Sequence, residues 1–417
     1  MKKLTAFLLI VLSALLLAKT TLTIVEVFTS PERDAILKNI IEQFEEQNPG
    51  VKVNLISPPY ETAYQKIYTM ISNQQPVDIV EVGDWSLSTL AAMGGLENLE
   101  PYIANWDGAK YMLPNLLEFA RIYKGKAYLI PNAVYAKTLF IRKDVLKKYG
   151  IEHAPKTVFE LYGMASYLTD PRRGQYGYDF RGKGYPTDFI DLFVTSFFDD
   201  IDPNNMYLTR EGKLIWSDPR AKYGLELYVK IFKNAAPKDA VNWGFSEQIN
   251  SFVSGIAPLL YQDPDTLGIL KSNLPDNLFE TDPLPVGPYG KAYPHYGFSG
   301  WGIVSYSKHK DLAWKFIEFF NSPKVLSYWC KNYGVLPPDK RVYENDPYFK
   351  SDKYKGWIEM FNDPEHYQFT KQPIWSEAWG KWTELQERTM QEVLLGKKSI
   401  DQVLREWSEF WEKAGLK

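Results

Sequence analysis

Along TLTIVEVF (Thr21–Phe28) apolar and polar side chains alternate with the two-residue period of a half-buried strand. The spacing then changes: Ile36, Ile40, Ile41 and Phe44 share one helical face in SPERDAILKNIIEQFEEQN. Ser30 stands at the N-cap, Pro31 at the first helical position, and Arg33 where a capping box has Glu. GVKVNLIS returns to the strand period. Strand, helix and strand in close succession predict a βαβ unit and a mostly parallel sheet. The alternation continues with a helix in YETAYQKIYTMISNQ, a strand in VDIVEVG and a helix in SLSTLAAMG. From Val145 helical patterns dominate, interrupted by long aromatic loops at 172–186 and 199–216. APLLYQ reads as a buried strand and TDPLPVGPYG as a rigid loop. Residues 311–320 are helical, and 375–413 almost continuously so, with a break at Gly396. Two α/β blocks with no tandem repeat and no low-complexity linker predict lobes joined by several chain crossings.

The N-terminus does not belong to that pattern. Lys2 and Lys3 precede the apolar run Leu4–Leu17 and then Ala18, which reads as a secretory signal peptide over residues 1–18. Leu16 replaces the small residue usual two positions before the cut, so an uncleaved anchor is the alternative. No cysteine follows for lipid attachment. The mature chain is expected to begin near Lys19 and to work in the periplasm or otherwise outside the cytoplasm. A net charge of −3 with mixed signs over 417 residues argues against a nucleic-acid surface. One cysteine, Cys330, excludes an internal disulfide and a thiolate zinc site. The 13 Trp, 28 Tyr and 23 Phe exceed what helix packing needs and leave some for a ligand cleft.

Several motifs weaken on inspection. Gly177–Lys183 begins like a phosphate-binding loop, but Gly184 replaces the required hydroxyl and no apolar strand precedes it. Gly297-Phe-Ser299-Gly300 lacks the second glycine of a nucleophile elbow. His153, His295, His309 and His366 lie far apart without ligand spacing. Asp200-x-Asp202-x-Asn204 with Glu211 resembles a calcium loop, yet Asn205 holds the glycine position, and a solvated acidic turn is the simpler reading. Fifty-one acidic residues make chance carboxylate pairs certain, so none points to glycoside hydrolysis.

Six blocks, in order, carry a resemblance that spans nearly all of the mature chain. They are VDIVEVGDWSLSTLAAMGGLENLEPYI, YKGKAYLIPNAVYAKTLFIRKDVLKKYGIEHAPKTVFEL, FVSGIAPLLYQD, GFSGWGIVSYSKHKDLAWKFIEFF, NYGVLPPDKRVYEN and LLGKKSIDQVLREW. Together they resemble the family 1 extracellular solute-binding proteins of ABC importers, the maltose-binding-protein type. The resemblance implies an α/β, two-lobed periplasmic-binding-protein fold (type II), each lobe a mostly parallel sheet flanked by helices. It implies a first lobe of 19–134 and 300–340 and a second of 135–299 and 341–417. Hinges are expected near Asn132–Lys137, Phe298–Gly300 and Val335–Arg341. It further implies a monomeric receptor without catalysis or cofactor that binds a carbohydrate and docks on a membrane permease. Asp263-Pro264-Asp265 and Gly300-Trp301-Gly302 depart from the family pattern where its ligand contacts cluster, which leaves the ligand open.

Sugar rings present apolar C–H faces and polar rims, so aromatic planes and Asp, Glu, Asn, Gln or Arg suit them. In a doubly wound sheet such groups belong past the C-terminal strand ends. Four first-lobe loops qualify: Glu26, Thr29 and Ser30; Asp84 and Trp85; Asn132 and Tyr135; and Phe298, Ser299 and Trp301. Trp301 either faces the cleft or plugs the core, and the expectation taken is the cleft. The second lobe offers Tyr185, Asp188, Trp243, Gln262 and Asp263. Trp375, Trp379 and Trp382 are spaced to share a helical face, and such a stripe is usually core. The resemblance favours Trp375 or Trp379 toward ligand and Trp382 inside. Scarce cations in these loops favour a neutral oligosaccharide. A receptor for glycerol phosphate or another polyol would call on Arg121, Arg142 or Arg181. A secreted carbohydrate-active enzyme and a partner-binding scaffold are the readings from other classes.

Overall fold

The computed structural model describes residues 20–29, 31–113, 115–184 and 186–416. The predicted signal peptide, the Ser30 cap and the candidate Tyr185 lie outside them. Among the described residues no helix is long and apolar enough to cross a membrane. The strands are β1 (Thr20–Val25), β2 (Val51–Ile56), β3 (Ile79–Gly83), β4 (Ile130–Tyr135), β5 (Thr138–Arg142), β6 (Tyr178–Asp179), β7 (Ile201–Asp202), β8 (Asn205–Thr209), β9 (Leu259–Gln262), β10 (Phe279–Asp282) and β11 (Gly297–Ile303).

One sheet has the order β2-β1-β3-β11-β4 and another β10-β5-β9-β6, with β7 and β8 as a separate hairpin. The predicted βαβ unit is there: β1 and β2 run parallel from Thr20↔Val51 to Val25↔Ile56, joined by helix Pro31–Gln47. β3 adds on the other side, also parallel. The sheets are otherwise more mixed than expected. β11 runs antiparallel to both β3 and β4, and β5 antiparallel to both β10 and β9. The parallel rule rests on a crossover helix returning to the same sheet. β11 instead enters after a strand of the other sheet, so nothing imposes that direction.

The chain passes between the sheets three times. β4 ends at Tyr135 and β5 begins the second sheet at Thr138; β10 of the second sheet is followed by β11 of the first. Helix Pro323–Tyr333 packs on helix Pro31–Gln47, whereas helix Lys355–Asn362 packs on β10. The second crossing therefore lies upstream of Phe298–Gly300, which sit inside β11, paired with β4 from Gly297↔Tyr135 onward. Gly300 and Gly302 serve close approach there, not a left-handed turn. A Cβ on Gly300 would stand 2.1 Å from the Ile130 carbonyl oxygen of β4, beside the irregularity between Ser299 and Gly300.

Aromatic side chains fill both cores. Trp216, Trp301, Trp329, Trp357, Trp382, Trp407 and Trp411 are fully buried, which accounts for over half of the 13 tryptophans. Trp382 lies among Trp216, Trp407 and Trp411 and donates from its indole N–H to the Tyr207 hydroxyl at 2.9 Å. Trp301, expected to face the cleft, is a core residue with 0% exposure, packed on Phe316 and Phe320. The last predicted helix also starts later than its pattern. It runs Trp379–Leu394, and Trp375 precedes it in a turn where Ser376 Oγ accepts from the Ala378 N–H.

Candidate functional site

At the end of β3 the chain turns directly into helix Asp84–Ala92. Gly83 makes this turn feasible, because the Trp85 indole folds back over it and would lie 2.3 Å from any Cβ there. Trp85 remains 39% exposed, with its ring edge-on to Phe28 at 5.3 Å, and Phe28 in turn lies 6.0 Å from Tyr135. Asp84 is buried. Its Oδ2 accepts from the Phe298 N–H at 3.2 Å and its Oδ1 from the Trp85 N–H at 2.8 Å. Burial raises the Asp84 carboxyl to about 6, against the pull of those two amides and of His295.

Asp84 and Trp85 form one side of a cavity of about 390 Å³. His295 and Tyr296 of the second crossing and Gly297, the first residue of β11, form its floor, and Gln372, Ile374, Trp379 and Thr383 the remainder. Depressions of about 510, 530 and 700 Å³ exist elsewhere, but none touches a strand end of either main sheet. The smaller cavity therefore has the better claim. It alone among these combines the end of β3, a crossing segment and a second-lobe helix, and its volume falls within the range of small-molecule sites.

Beneath the floor lies a polar network. The His295 Nδ1 stands 3.3 Å from Asp191 Oδ2, within ion-pair distance. Asp191 is fully buried in the π-helical segment Phe189–Val194 and accepts from the Tyr261 hydroxyl and the Gln372 amide, each at 3.3 Å. Burial drags the imidazole pKa down, but the Asp191 carboxylate outweighs it and the net shift is upward. Nearby, Lys137 donates to Thr187 Oγ1 at 2.6 Å. Asp188 accepts from the Tyr178 hydroxyl at 3.1 Å and is raised to about 6, chiefly by burial.

Of the sequence candidates, Asp84, Trp85 and Trp379 line the cavity together. Tyr135 stands behind Phe28, its hydroxyl 3.0 Å from that of Tyr333. Asp188 and Asp263 lie in the second lobe near Lys137 and His295. Others are corrected. Glu26 is fully buried; Arg33 holds its Oε2 at 2.5 Å, and its Oε1 accepts from Ser57. Arg33 also pairs with Glu81 at 2.6 Å and sits under Trp329 and Tyr333, so the residue that mismatches a capping box anchors a buried ion cluster. Gln262 is buried and bonded to Gln248. Asn132, Phe298 and Ser299 are buried within the first sheet, behind the cavity. Trp243 donates to Asp239 away from it, and Trp375 borders a separate depression. Asp200 is tied to Arg220 and Glu211 to Lys213, which leaves no open carboxylate cradle in the calcium-like loop.

Sequence reasoning missed His295, Tyr296, Gln372, Ile374 and Thr383. His295 and Tyr296 directly precede the singled-out GFSGW segment, but the candidates were sought after strand ends, not before strand starts. For Gln372 and Thr383 no sequence signal stands out.

A profile of the bacterial extracellular solute-binding protein family matches residues 29–326. A protein of Brucella abortus, named only as a binding protein, is 25% identical over 376 residues, 88% of this chain and 87% of its own. The maltotriose-binding protein of Pyrococcus abyssi is 26% identical over 331 residues, 77% of this chain and 67% of its own. A crystal structure of an ABC transporter solute-binding protein from Thermotoga lettingae, bound with α-D-tagatose, superposes with a TM-score of 0.78. It is 24% identical and covers 95% of this chain and 100% of its own, a likeness of fold.

Proposed function

The chain belongs to the bacterial extracellular solute-binding protein family, and we propose that its solute is a carbohydrate, held in the cavity between the two sheets and delivered to an ABC transporter permease. The observation that carries the reading is the pairing of Trp85 with Trp379 around one cavity rimmed by Asp84, His295, Gln372 and Thr383. Indole faces suit the C–H face of a sugar ring, and the carboxylate, imidazole, amide and hydroxyl suit its hydroxyls. The names of the maltotriose-binding relative and of the tagatose-bound structure support the same class. At about 390 Å³ the cavity favours one or two rings over a long chain.

The three crossings support a working cycle of opening and closing. The two lobes turn about the three crossings, the first lobe taking in β11 from Gly297 and so starting its second segment earlier than the expected residue 300. A ligand touching both lobes favours the closed state by its differential contacts there. The protein is secreted through residues 1–18 and acts as a monomer without catalysis, metal or nucleic acid.

The test is thermal melting of the purified protein with maltotriose, D-tagatose, other mono- and oligosaccharides, D-mannitol and glycerol phosphate. A ligand that binds the native state raises Tm by mass action. A saccharide-specific rise without product formation is expected. A rise with glycerol phosphate alone, a cleaved saccharide, or no rise with any saccharide overturns the proposal.

A further inference from the structure

His295 has a place in the cavity that no sequence motif announced. Asp191 holds its Nδ1 edge from below, and Gln372 and Tyr261 fix Asp191 in turn. His295 itself lines the cavity, with 17% of its side chain exposed. We propose that His295 reads the ligand: as an imidazolium it donates from Nε2 to one sugar hydroxyl while the Asp84 carboxylate accepts from a neighbouring hydroxyl, so the site recognises a vicinal diol only while Asp84 is ionised and His295 is protonated. This rests on the carbohydrate-receptor reading and narrows it to a donor–acceptor pair.

The surroundings support both charge states. From the π-helical segment Asp191, and from the loop after β9 Asp263, favour the imidazolium; Lys137, after β4, opposes it. Lys137 is itself engaged, with its ammonium on Thr187 and over the Tyr261 ring at 5.3 Å. Asp84 faces His295 from the start of helix Asp84–Ala92, and two backbone N–H groups orient its oxygens. Affinity therefore has two limbs. It falls as pH drops below about 6, where Asp84 takes up a proton. It falls again as pH rises through the His295 pKa, which Asp191 sets above the ordinary imidazole value despite burial.

The experiment is calorimetric titration of the purified protein with maltotriose and D-tagatose from pH 5 to 9, on wild type, H295A and H295Q. Losing a hydrogen bond from a charged donor weakens binding roughly ten- to a hundredfold, the effect expected of H295A at pH 7. H295Q keeps a donor that does not titrate, so its alkaline limb disappears while the acidic limb stays. The chain has four histidines, and H295Q assigns the His295 ring signals in a ¹H–¹³C spectrum. Saturating saccharide is expected to move their titration midpoint to higher pH. An H295Q profile like wild type, or ring signals that ignore a bound saccharide, overturns the assignment of His295 and leaves the receptor reading standing. If wild type binds neither saccharide at any pH, the assignment of His295 falls, and the receptor reading is decided separately by the wider melting panel.

Discussion

Trp85 and Trp301 look alike as residues: each follows a short strand pattern and each has glycine close by. Their surroundings separate them. Trp301 has no exposed surface and packs on two phenylalanines, whereas Trp85 leaves 39% of itself in the cavity. Trp301→Ala removes a core indole and is expected to cost ~3–5 kcal/mol in urea unfolding. Trp85→Ala is expected to change unfolding by under about 1 kcal/mol yet weaken saccharide binding at least about tenfold in calorimetry, since the lost ring is a ligand platform. The reverse pattern would exchange their roles. Arg33 repays the same scrutiny. It neutralises Glu26 and Glu81 where all three are buried. Arg33→Met leaves two carboxylates unpaired, and a loss of ~3–5 kcal/mol in the same unfolding measurement is expected. The sequence showed Arg33 only as a mismatch in a capping box. Its partners lie just past β1 and in the middle of β3, and no local pattern reports a contact made between separate strands.

At the scale of elements, β11 shows what sequence can and cannot carry. Its glycines signalled close backbone approach, and the structure locates that approach at Ile130 of β4. Gly300→Ala drives a Cβ against a carbonyl that cannot withdraw without parting two strands, and a loss of ~1–3 kcal/mol is expected from the fall in Tm. Gly380, in the first turn of helix Trp379–Leu394, has nothing within 4 Å of an added Cβ. Gly380→Ala is expected to raise stability by up to about 1 kcal/mol, through lower backbone freedom in the unfolded chain. The first sheet was legible because β1, β2 and β3 are long enough to show a period and are joined by amphipathic helices. The second was not: β6 spans two residues, and the π-helical segment that supplies Asp191 has no sequence period of its own. In the Trp375–Trp379–Trp382 stripe, Trp379 lines the cavity and Trp382 is buried as expected, but Trp375 lies outside the helix. Helical spacing does not prove a helix: this one begins only at Trp379, and its N-cap, Ala378, offers no capping side chain that would mark the start in sequence.

Across the whole molecule, several buried acids carry their protons up to unusual pH. Burial raises Glu26 from 4.5 to about 7, although Arg33 and Ser57 pull the other way, and raises Asp84 and Asp188 to about 6. Asp179, fully buried, is pushed by that burial well above the usual carboxylate range, against the pull of Ser251 and the Phe252 amide. Each binds a proton more tightly in the folded state than in the unfolded one. Between the unfolded and folded pKa values the native state therefore holds more protons, and stability falls as pH rises. His295 acts in the same direction, because its raised pKa gives a contribution that is present at low pH and lost on going alkaline. The acids with lowered values, such as Asp191, Asp218 and Asp352, stabilise only above the ordinary Asp range near 3.8, so they are already saturated in this window. The expected result is a Tm that declines steadily from pH 5 to pH 8, with Glu26 accounting for roughly 2 kcal/mol of the change. Glu26→Gln, which cannot ionise, should flatten that slope without touching the cavity. Saccharide affinity follows a different curve if Asp84 and His295 read the ligand, with its maximum inside the range over which the fold is losing stability. A melting series and a binding series over the same pH values separate the two: a common profile would mean that binding merely tracks folding, whereas divergent profiles place the pH dependence of recognition in the cavity itself.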